Sequence, residues 1–366
     1  MHKNSAYMIK SFLSVLILTI FSKILHAQSI DQLIKKLDKS IDSLYVLHEF
    51  NGNILLVKNG VMLYEKSIGF TDSKTNQTLN SSSAFNLASI SKTFTSSLVL
   101  MYVQEGRLKI DDQVHTYLPE FPYKDITIRQ LLNHTHGMIE YFDWINDTLK
   151  IKDTIGNDQL LVLLAKYKPT LNSVPGEKFN YCNTGYAILS EVLEIISGMP
   201  YAALLKSKIT KPLKLENTYV QTIQMPNSPK NRVYGMKFKD GRWNAFDLTT
   251  LDEFVGDGNI YSTVKDLQKW DQALRDGKVL KPEILQEAYT PAVVQEKPTM
   301  VYGLGWIINE PGKKVSHSGS WNGFKNNMVR DLQNGYTMIS LSNGAAGIAS
   351  YKLLEQFEKA ISNLNQ

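Results

Sequence analysis

Two stretches near opposite ends of the chain share a pattern of β-rich runs around an Asn-Gly pair. The first spans residues 53–67 with Asn59-Gly60 in its middle, and the second spans 327–342 with Asn334-Gly335. Asn-Gly between β-rich runs is typical of a β-hairpin, because both residues tolerate the positive φ that a tight hairpin turn requires. The pattern therefore predicts an antiparallel hairpin near each end of the chain.

Between these hairpins the pattern is mostly helical, and each main helix is followed by a glycine that ends it. The helices predicted in this region are Ser89–Glu105, Thr184–Ser197 and Thr263–Arg275. Two more are predicted outside the hairpins, at 30–47 and at 348–364. The fold class is therefore predicted to be α/β (α+β). An antiparallel sheet is built from both chain ends, at about 28–88 and 300–366, and a mostly helical part is inserted at about 89–299.

The first 27 residues have the pattern of an export signal. Lys3 and Lys10 precede an apolar run from Phe12 to Phe21, and Ala27 ends a small-residue cleavage site. Ten apolar residues are too few to cross a hydrocarbon core of about 30 Å as a helix. We therefore expect an exported protein, periplasmic or extracellular, without a membrane span after signal removal; a retained anchor is the alternative.

Charge and cysteine content exclude several classes of protein. The formal net charge of +5 falls to +2 when the first 27 residues, with three lysines and no acid, are removed. A net charge of +2 does not indicate a nucleic-acid-binding protein. The single cysteine, Cys182, cannot form an intrachain disulfide. The sequence contains no phosphate-binding loop or metal-ligand spacing, so neither a cofactor nor a metal is expected.

Three short motifs occur in one order: Ser89-Ile90-Ser91-Lys92, Tyr181-Cys182-Asn183 and His317-Ser318-Gly319. On a helix, Ser89 and Lys92 are neighbours at i and i+3. A serine attacks well only when a base takes its proton, and a lysine serves as that base only when burial or nearby positive charge lowers its pKa from about 10.4. The apolar run 98–103 predicts such burial. A capping serine with a solvated lysine is the alternative.

The same spacing recurs at Ser262 and Lys265. Thr263 and Asp266 resemble a capping box, a glycine-rich loop precedes them, and the amphipathic helix can direct Lys265 to water. We therefore predict that Ser262 is a helix cap without a catalytic role.

Tyr181 follows a Pro-Gly loop and precedes a predicted helix, so its phenol can project into a cleft. Beside a lysine ammonium it can move a proton between the serine, the leaving group and water. A surface tyrosine, with Asn183 as an N-cap, is the alternative.

The His317 motif follows a predicted strand at 314–316, and Gly319 allows a close approach of substrate backbone. The backbone N–H of Ser320, beside that of Ser89, is predicted to form an oxyanion hole worth roughly 3 kcal/mol per donor. For His317 the alternative is a hydrogen-bonded strand histidine. His134 and His136 are predicted to line a loop and to have a structural rather than a catalytic role.

Together these motifs resemble the β-lactamase-related serine hydrolases, a family of class C β-lactamases, D-alanyl-D-alanine carboxypeptidases and esterases. The likeness extends from about Asn51 to Asn343. Further segments that carry it are 86–88, 131–137, 175–176, 183–186, 256–258, 261–263 and 302–306.

The resemblance implies that Ser89 is acylated and that Lys92 and Tyr181 move its proton. It also implies that Asn183 holds the substrate amide, and that the segment His317, Ser318, Gly319 and Ser320 binds the acyl chain and its carboxylate. The implied fold is a sheet packed by helices with an all-helical subdomain. Class C β-lactamases usually carry lysine where this chain has His317, which weakens the expectation of β-lactam hydrolysis. The family also often has serine at the position of His136.

We therefore expect residues 28–366 to form a single catalytic domain, an active-serine hydrolase that forms an acyl-enzyme on amide or ester bonds. The expected substrates are peptides with D-amino acids or small esters, with no nucleic-acid partner. Two alternatives remain: a class C-like β-lactamase, and a catalytically silent module that binds penicillin or peptidoglycan.

Overall fold

The computed structural model describes residues 30–75, 77–225, 227–296 and 300–344, together with 352, 353, 355 and 356. The predicted export signal lies outside these residues. So does most of the predicted helix 348–364, of which the four described residues are helical. In the described part of the chain, no single helix is long and apolar enough to cross a membrane. The pair Thr184–Ser197 and Tyr201–Thr210 passes that length and composition test only jointly, across a bend of 73°.

Strands cluster toward both ends of the described chain, and most helices lie between them. The strands are β1 (Gly52–Lys58), β2 (Val61–Ile68), β3 (Phe85–Asn86), β4 (Tyr219–Val220), β5 (Met236–Lys239), β6 (Arg242–Ala245), β7 (Ile260–Ser262), β8 (Ile307–Glu310), β9 (Lys314–Trp321), β10 (Phe324–Asp331) and β11 (Tyr336–Ser342). The α-helices are α1 (30–46), α2 (Ser91–Gln104), α3 (Ile128–Leu132), α4 (Tyr141–Asp143), α5 (Asn157–Tyr167), α6 (Thr184–Ser197), α7 (Tyr201–Leu205), α8 (Val264–Arg275) and α9 (Pro282–Ala288). Two 3₁₀ turns, Ala88–Ile90 and Val114–Thr116, and two π-helical turns, Trp144–Leu149 and Lys206–Thr210, complete the set.

Six strands form one antiparallel sheet in the order β2-β1-β11-β10-β9-β8. Both predicted hairpins are confirmed, with Asn59 at φ 49° and Gly60 at φ 79° in the first turn and Gly335 at φ 75° in the second. β1 pairs with β11 from Gly52 opposite Ser342 to Lys58 opposite Tyr336. The predicted α/β (α+β) fold, with a sheet built from both chain ends, is confirmed.

The sheet is covered on both faces, so β1 is an apolar run rather than an alternating one. Leu55 and Val57 point into the main core, which contains α2 and α6. Ile54 and Leu56 point to a smaller core against α1. Burial of apolar surface stabilises a fold by about 25 cal/mol per Å², so burial on both faces stabilises the position of this strand.

α2 is the helix on which the first Ser-x-x-Lys motif stands. Eleven of its residues are buried, including Leu98, Val99 and Leu100, as its apolar run predicts. The helix begins later than predicted, because Ala88–Ile90 forms a 3₁₀ turn before Ser91. A helix packed on nearly all sides gives the motif a rigid mount.

The prediction that Ser262 caps a helix is wrong by one residue. Thr263 is the N-cap of α8, and its side chain accepts a hydrogen bond from Asp266 N at 3.1 Å. Ser262 is still the last residue of β7, fully buried, with Oγ 2.8 Å from Thr218 Oγ1. Serine and threonine are both good caps, and only the backbone path decides which one occupies the position.

Candidate active site

Ser89 and Lys92 lie where β3 leads into α2. Ser89 belongs to the 3₁₀ turn Ala88–Ile90, and Lys92 is the second residue of α2. Lys92 Nζ is 3.1 Å from Ser89 Oγ, and the lysine has no exposed surface. The N-cap positions of the turn and of α2 are Leu87 and Ile90. The alternative of a capping serine with a solvated lysine is therefore wrong.

Lys92 has three hydrogen-bond partners, and all of them are oxygens that can accept from its Nζ. Besides Ser89, its Nζ bonds Asn183 Oδ1 at 2.7 Å and the carbonyl oxygen of Asp257 at 2.8 Å. These two oxygens can only accept, whereas a serine hydroxyl can also donate. A neutral amine can donate to both oxygens and accept the proton of Ser89. The arrangement thus accommodates a lysine base without leaving a polar group unpaired.

The residue before Ser89 has an uncommon backbone conformation. Ala88 is buried and has φ 49°, a left-handed conformation that costs a non-glycine residue about 1–3 kcal/mol. Its N–H donates to Asn86 Oδ1 at 2.8 Å. The side chain of Asn86 thereby holds the strained turn that presents the serine hydroxyl.

Tyr181 lies beside Lys92 on the loop before α6. The centre of its ring is 5.2 Å from Lys92 Nζ and 4.2 Å from the ring of His134. His134 holds this loop on both sides of the tyrosine: its carbonyl accepts from Asn180 N, and its Nδ1 contacts the backbone of Cys182. This placement agrees with the structural role predicted for His134.

His136 is also buried and lies behind α6. Its Nδ1 accepts from Met138 N at 3.0 Å, and a Cβ on Gly185 would lie 2.7 Å from its Nε2. Burial lowers the pKa of His136 to about 3. These contacts are those of a packing residue that fixes the position of α6.

Asn183 connects Lys92 to Glu140, a carboxylate that sequence reasoning missed. Its Oδ1 accepts from Lys92, while its Nδ2 and its backbone N–H both lie 2.9 Å from Glu140 Oε2. Asn183 is the N-cap residue of α6, but its side chain makes no capping bond. Burial raises the pKa of Glu140, an effect that its bond to the Asn183 backbone opposes.

His317 is satisfied as a neutral ring. The predicted strand at 314–316 continues through the motif as β9, and His317 is 2% exposed. Its Nδ1 lies 2.6 Å from the Ser318 carbonyl, and its Nε2 lies 2.7 Å from Tyr302 Oη. A carbonyl accepts and a tyrosine hydroxyl can donate, so one neutral tautomer fits both contacts. Burial, and then the charge of Lys92, lower the pKa of His317 to about 3.

Gly319 and Ser320 lie on β9 where it passes the turn that carries Ser89. A Cβ on Gly319 would come within 2.1 Å of Leu87 O and 3.2 Å of Ser89 N, so only glycine allows this approach. Ser320 follows and is exposed at the mouth of the site, where Lys325 Nζ donates to its Oγ. The exposed edge of β9 and Ser89 are thereby adjacent.

A pocket with about 390 Å³ of empty space opens beside Ser89. Its described lining residues are Asn86, Ala88, Ser89, Tyr141, Phe142, Asn183, Leu251, Asp252, Phe254, Asp257, Gly258, Asn259, Ser320 and Trp321. None of them is a lysine or an arginine, and two are buried aspartates. Burial raises the pKa of Asp252 to about 6 and also raises that of Asp257.

Sequence reasoning did not assign either aspartate a role. The only available signal was that Asp257 stands in the Gly256-Asp257-Gly258 segment of the family resemblance. Among the described residues, no group of three or more His, Cys, Asp or Glu side chains could hold a metal ion.

Comparison with known proteins places this chain in a family. The family model Beta-lactamase matches residues 30–361. A curated relative, penicillin-binding protein 4* of Bacillus subtilis (strain 168), is 32% identical over 322 residues, which cover 84% of this chain and 71% of the relative. The chain therefore belongs to the Beta-lactamase family, whose related members are serine hydrolases.

Solved structures share the fold. A penicillin binding protein from Bacillus halodurans superposes with a TM-score of 0.76 at 22% identity, covering 88% of this chain and 98% of that one. D-amino acid amidase from Ochrobactrum anthropi SV3 superposes with a TM-score of 0.75 at 22% identity, covering 92% and 100%. At these identities the likeness extends to the fold alone.

Proposed function

We propose that this protein is an active-serine hydrolase that cleaves amide or ester bonds through an acyl-enzyme on Ser89. The observation that supports this most directly is the fully buried Lys92, whose Nζ lies 3.1 Å from Ser89 Oγ. Its remaining two partners are pure acceptors. A catalytically silent binding module would have no need of a buried lysine paired in this way with an accessible serine.

In the first half of the reaction, the lone pair of Lys92 takes the hydroxyl proton of Ser89 as Oγ attacks the substrate carbonyl carbon. Negative charge develops on the carbonyl oxygen. The backbone N–H groups of Ser89 and Ser320 flank the position of that oxygen and stabilise it, at roughly 3 kcal/mol per donor. The close passage of β9, where a Cβ on Gly319 would lie 3.2 Å from Ser89 N, supports this assignment of the two donors.

Tyr181 then carries the proton from Lys92 to the leaving group, because its ring lies beside the lysine and its loop is held by His134. Collapse of the intermediate breaks the bond to the leaving group and leaves the acyl group on Ser89 Oγ. In the second half, a water gives its proton to the same relay and attacks the acyl carbon. The bond between the acyl carbon and Ser89 Oγ then breaks, Oγ regains its proton from the relay, and the carboxylic acid product is released.

The proposed substrates are amides or peptides of D-amino acids, or small esters. The pocket beside Ser89 is small and open to solvent, which suits a small acyl group. His317 is neutral and bonded through both nitrogens, so it supplies no charge for the carboxylate of a β-lactam. One solved structure with the same fold is a D-amino acid amidase, which is consistent with substrates of this kind.

β-Lactam hydrolysis is the second candidate, and one observation favours it. The ammonium of Lys325 donates a hydrogen bond to Ser320 Oγ at the exposed edge of β9. A ligand carboxylate could pair with this ammonium. Burial lowers the pKa of Lys325, which weakens this cation as a carboxylate anchor. The first candidate therefore remains the better supported one.

Export to the periplasm or the extracellular space is part of the proposal. It rests on the charged start, the apolar run 12–21 and the cleavage site at Ala27. Fractionation of cells that express the full chain, with N-terminal sequencing of the mature protein, tests it. A chain that begins at residue 28 outside the cytoplasm is expected.

The function is tested by covalent labelling with a fluorophosphonate probe. Wild type and Ser262→Ala are expected to be labelled, whereas Ser89→Ala is not, because it lacks the attacking oxygen. Hydrolysis of a D-Ala-D-Ala peptide, a short-chain ester and a chromogenic cephalosporin is then compared by kcat/KM. Labelling of the Ser89→Ala variant would show that another residue is the nucleophile. A preference for the cephalosporin of about a hundredfold, or about 2.7 kcal/mol, selects the β-lactamase instead.

A further inference from the structure

The pocket beside Ser89 extends to one side of the nucleophile. Its described lining includes Asn183 and Ser320 but neither Tyr181 nor His317. In the proposed reaction the leaving group receives its proton from Tyr181, so it must lie on the tyrosine side. The pocket is then the place for the acyl part of the substrate, an assignment that rests on the function proposed above.

Two buried carboxylates line this acyl pocket, and their hydrogen-bond partners are neutral. Asp252 accepts from Trp321 Nε1 at 2.7 Å and from the backbone and hydroxyl of Thr249. Asp257 Oδ2 accepts from Tyr141 Oη at 3.0 Å. A buried carboxylate without a cation partner is costly. The wall of the pocket therefore carries two carboxylates with no hydrogen-bonded cation among the described residues, although the charge of Lys92 lowers the pKa of Asp257 against the effect of burial.

The two oxygens of Asp257 differ in their hydrogen bonding. The residue is 5% exposed, and its Oδ1 has no hydrogen-bond partner within the described residues. Both oxygens of Asp252, by contrast, are occupied. An unpartnered oxygen on a buried carboxylate in a substrate pocket points to a donor that arrives with the ligand.

Among the described residues, the lysines near the pocket make their hydrogen bonds elsewhere. Lys92 bonds the backbone carbonyl of Asp257 rather than its carboxylate. Lys325 bonds the hydroxyl of Ser320. The rings of Phe142 and Trp321, 5.0 Å apart, add π-faces to the same wall, and such faces also favour a cation.

We propose that Asp257 binds an ammonium group on the acyl part of the substrate. The preferred acyl donors are then small amides or esters whose acyl group carries a free amine, as in an unblocked amino acid. Asp252 holds Trp321 in the pocket wall and adds negative charge. N-acylated donors lack the cation and place a bulky group against the buried oxygen, so they bind less well.

The test compares two esters that differ in a single group. These are the methyl esters of D-alanine and of (R)-lactic acid, in which a hydroxyl replaces the ammonium. Assays at pH 6.5 keep the amine charged, because an α-amino group titrates at about 7.7–8.0. Wild type is expected to favour the alanine ester by about tenfold or more in kcat/KM, and Asp257→Asn to reduce that ratio to about threefold or less.

Asp125→Asn is the matched control. It makes the same chemical change at an exposed aspartate outside the pocket, and it is expected to keep the wild-type ratio. An equal rate on both esters, or a preference for the lactate ester, overturns the proposal. So does an amine preference that Asp257→Asn leaves intact. Absence of both probe labelling and ester hydrolysis overturns the proposed function itself.

A measurement on unmodified protein decides the question if Asp257→Asn does not fold. D-alaninol and (R)-propane-1,2-diol are the same small molecule with an ammonium or a hydroxyl group. Each is tested for its ability to slow fluorophosphonate labelling of wild type at pH 6.5. Protection by D-alaninol at about tenfold lower concentration is expected for a charge-assisted bond. Equal protection by the two compounds contradicts an ammonium site.

Discussion

The Ser-x-x-Lys spacing occurs twice in this chain, and the two copies have opposite environments. Lys92 has no exposed surface and bonds three oxygens. The side chain of Lys265 is 51% exposed, and in the described part of the chain its ammonium reaches only Glu65, at 3.9 Å. The same four-residue spacing therefore supplies a candidate base in one place and a solvated surface charge in the other.

The serines differ as much as the lysines. Ser89 opens onto a pocket at the start of α2, whereas Ser262 is fully buried at the end of β7 and is bonded to Thr218. A nucleophile needs both a base and access to substrate, and only the first copy has both. The spacing of serine and lysine is therefore not sufficient. The burial of the lysine and the access of the serine to a pocket distinguish the two copies.

Removal of each lysine is the strongest way to break this comparison. Lys92→Ala is expected to lower kcat by about 10²- to 10⁴-fold, the usual contribution of a general base. Lys265→Ala is expected to leave kcat within about twofold of wild type, because an exposed pair contributes little. Steady-state kinetics on a short-chain ester checks both. Comparable losses in the two variants would mean that burial does not distinguish the copies.

A double variant sharpens the assignment of the relay to the first copy. Tyr181→Phe is expected to lower kcat by orders of magnitude, and Tyr181→Phe with Lys92→Ala to be little worse than either single change. Members of one proton relay are strongly non-additive. The same rate measurements test this, with Lys265→Ala in the Tyr181→Phe background as the additive control. Independent losses that multiply would separate the tyrosine from the lysine.

The site around the first copy also contains His317, which is expected to make the stability of the protein depend on pH. The pKa of His317 is lowered to about 3, while an unfolded histidine titrates near 6.5. Below pH 6.5 the unfolded chain binds a proton that the folded chain refuses. Stability is therefore complete above pH 6.5 and falls as the pH drops toward 3, by up to about 1.4 kcal/mol per pH unit from this group.

Urea unfolding of wild type and His317→Gln at pH 7, 6 and 5 measures that slope. Glutamine keeps one donor and one acceptor for Ser318 O and Tyr302. The variant is expected to be less stable at pH 7, with a difference from wild type that shrinks as the pH falls. Parallel pH profiles for the two proteins would show that His317 does not resist protonation.

The smallest expected effects belong to the second copy. Thr263→Ala should cost about 1 kcal/mol of stability through loss of the α8 cap. Ser262→Ala should cost about 0.5–1.5 kcal/mol, through the lost bond to Thr218. Neither change should alter kcat, as chemical denaturation and kinetics together would establish. A fall in kcat for Ser262→Ala would give the buried serine a role in the site.

Local structure was largely predictable from the sequence. The two Asn-Gly hairpins and the bounds of α6 follow from neighbouring residues, and so does the placement of Ser89 at the start of a buried helix. Serine and threonine at 262 and 263 were confused, because both satisfy the same capping rule. The order of the three motifs indicated the family, which the matches then established.

The convergence of distant loops was not predictable. Asp257 meets Lys92 across 165 positions of sequence, and Glu140 meets Asn183 across 43. Periodicity reports which face of an element is buried, but not which loop lies above it. The neutral pairing of His317 with Tyr302 is another such contact, since it depends on a tyrosine outside the motif.

The pairing of β1 with β11 constrains how this protein can be made. Asn51 and Asn343, 292 positions apart, are joined by a buried hydrogen bond where those strands meet. A nascent chain that has not yet reached β11 cannot add β9 and β10 to the amino-terminal hairpin. The donor at Ser320 is then not set against Ser89. We therefore expect the chain to acquire any reactivity at Ser89 only after β11 has been synthesised and has paired with β1.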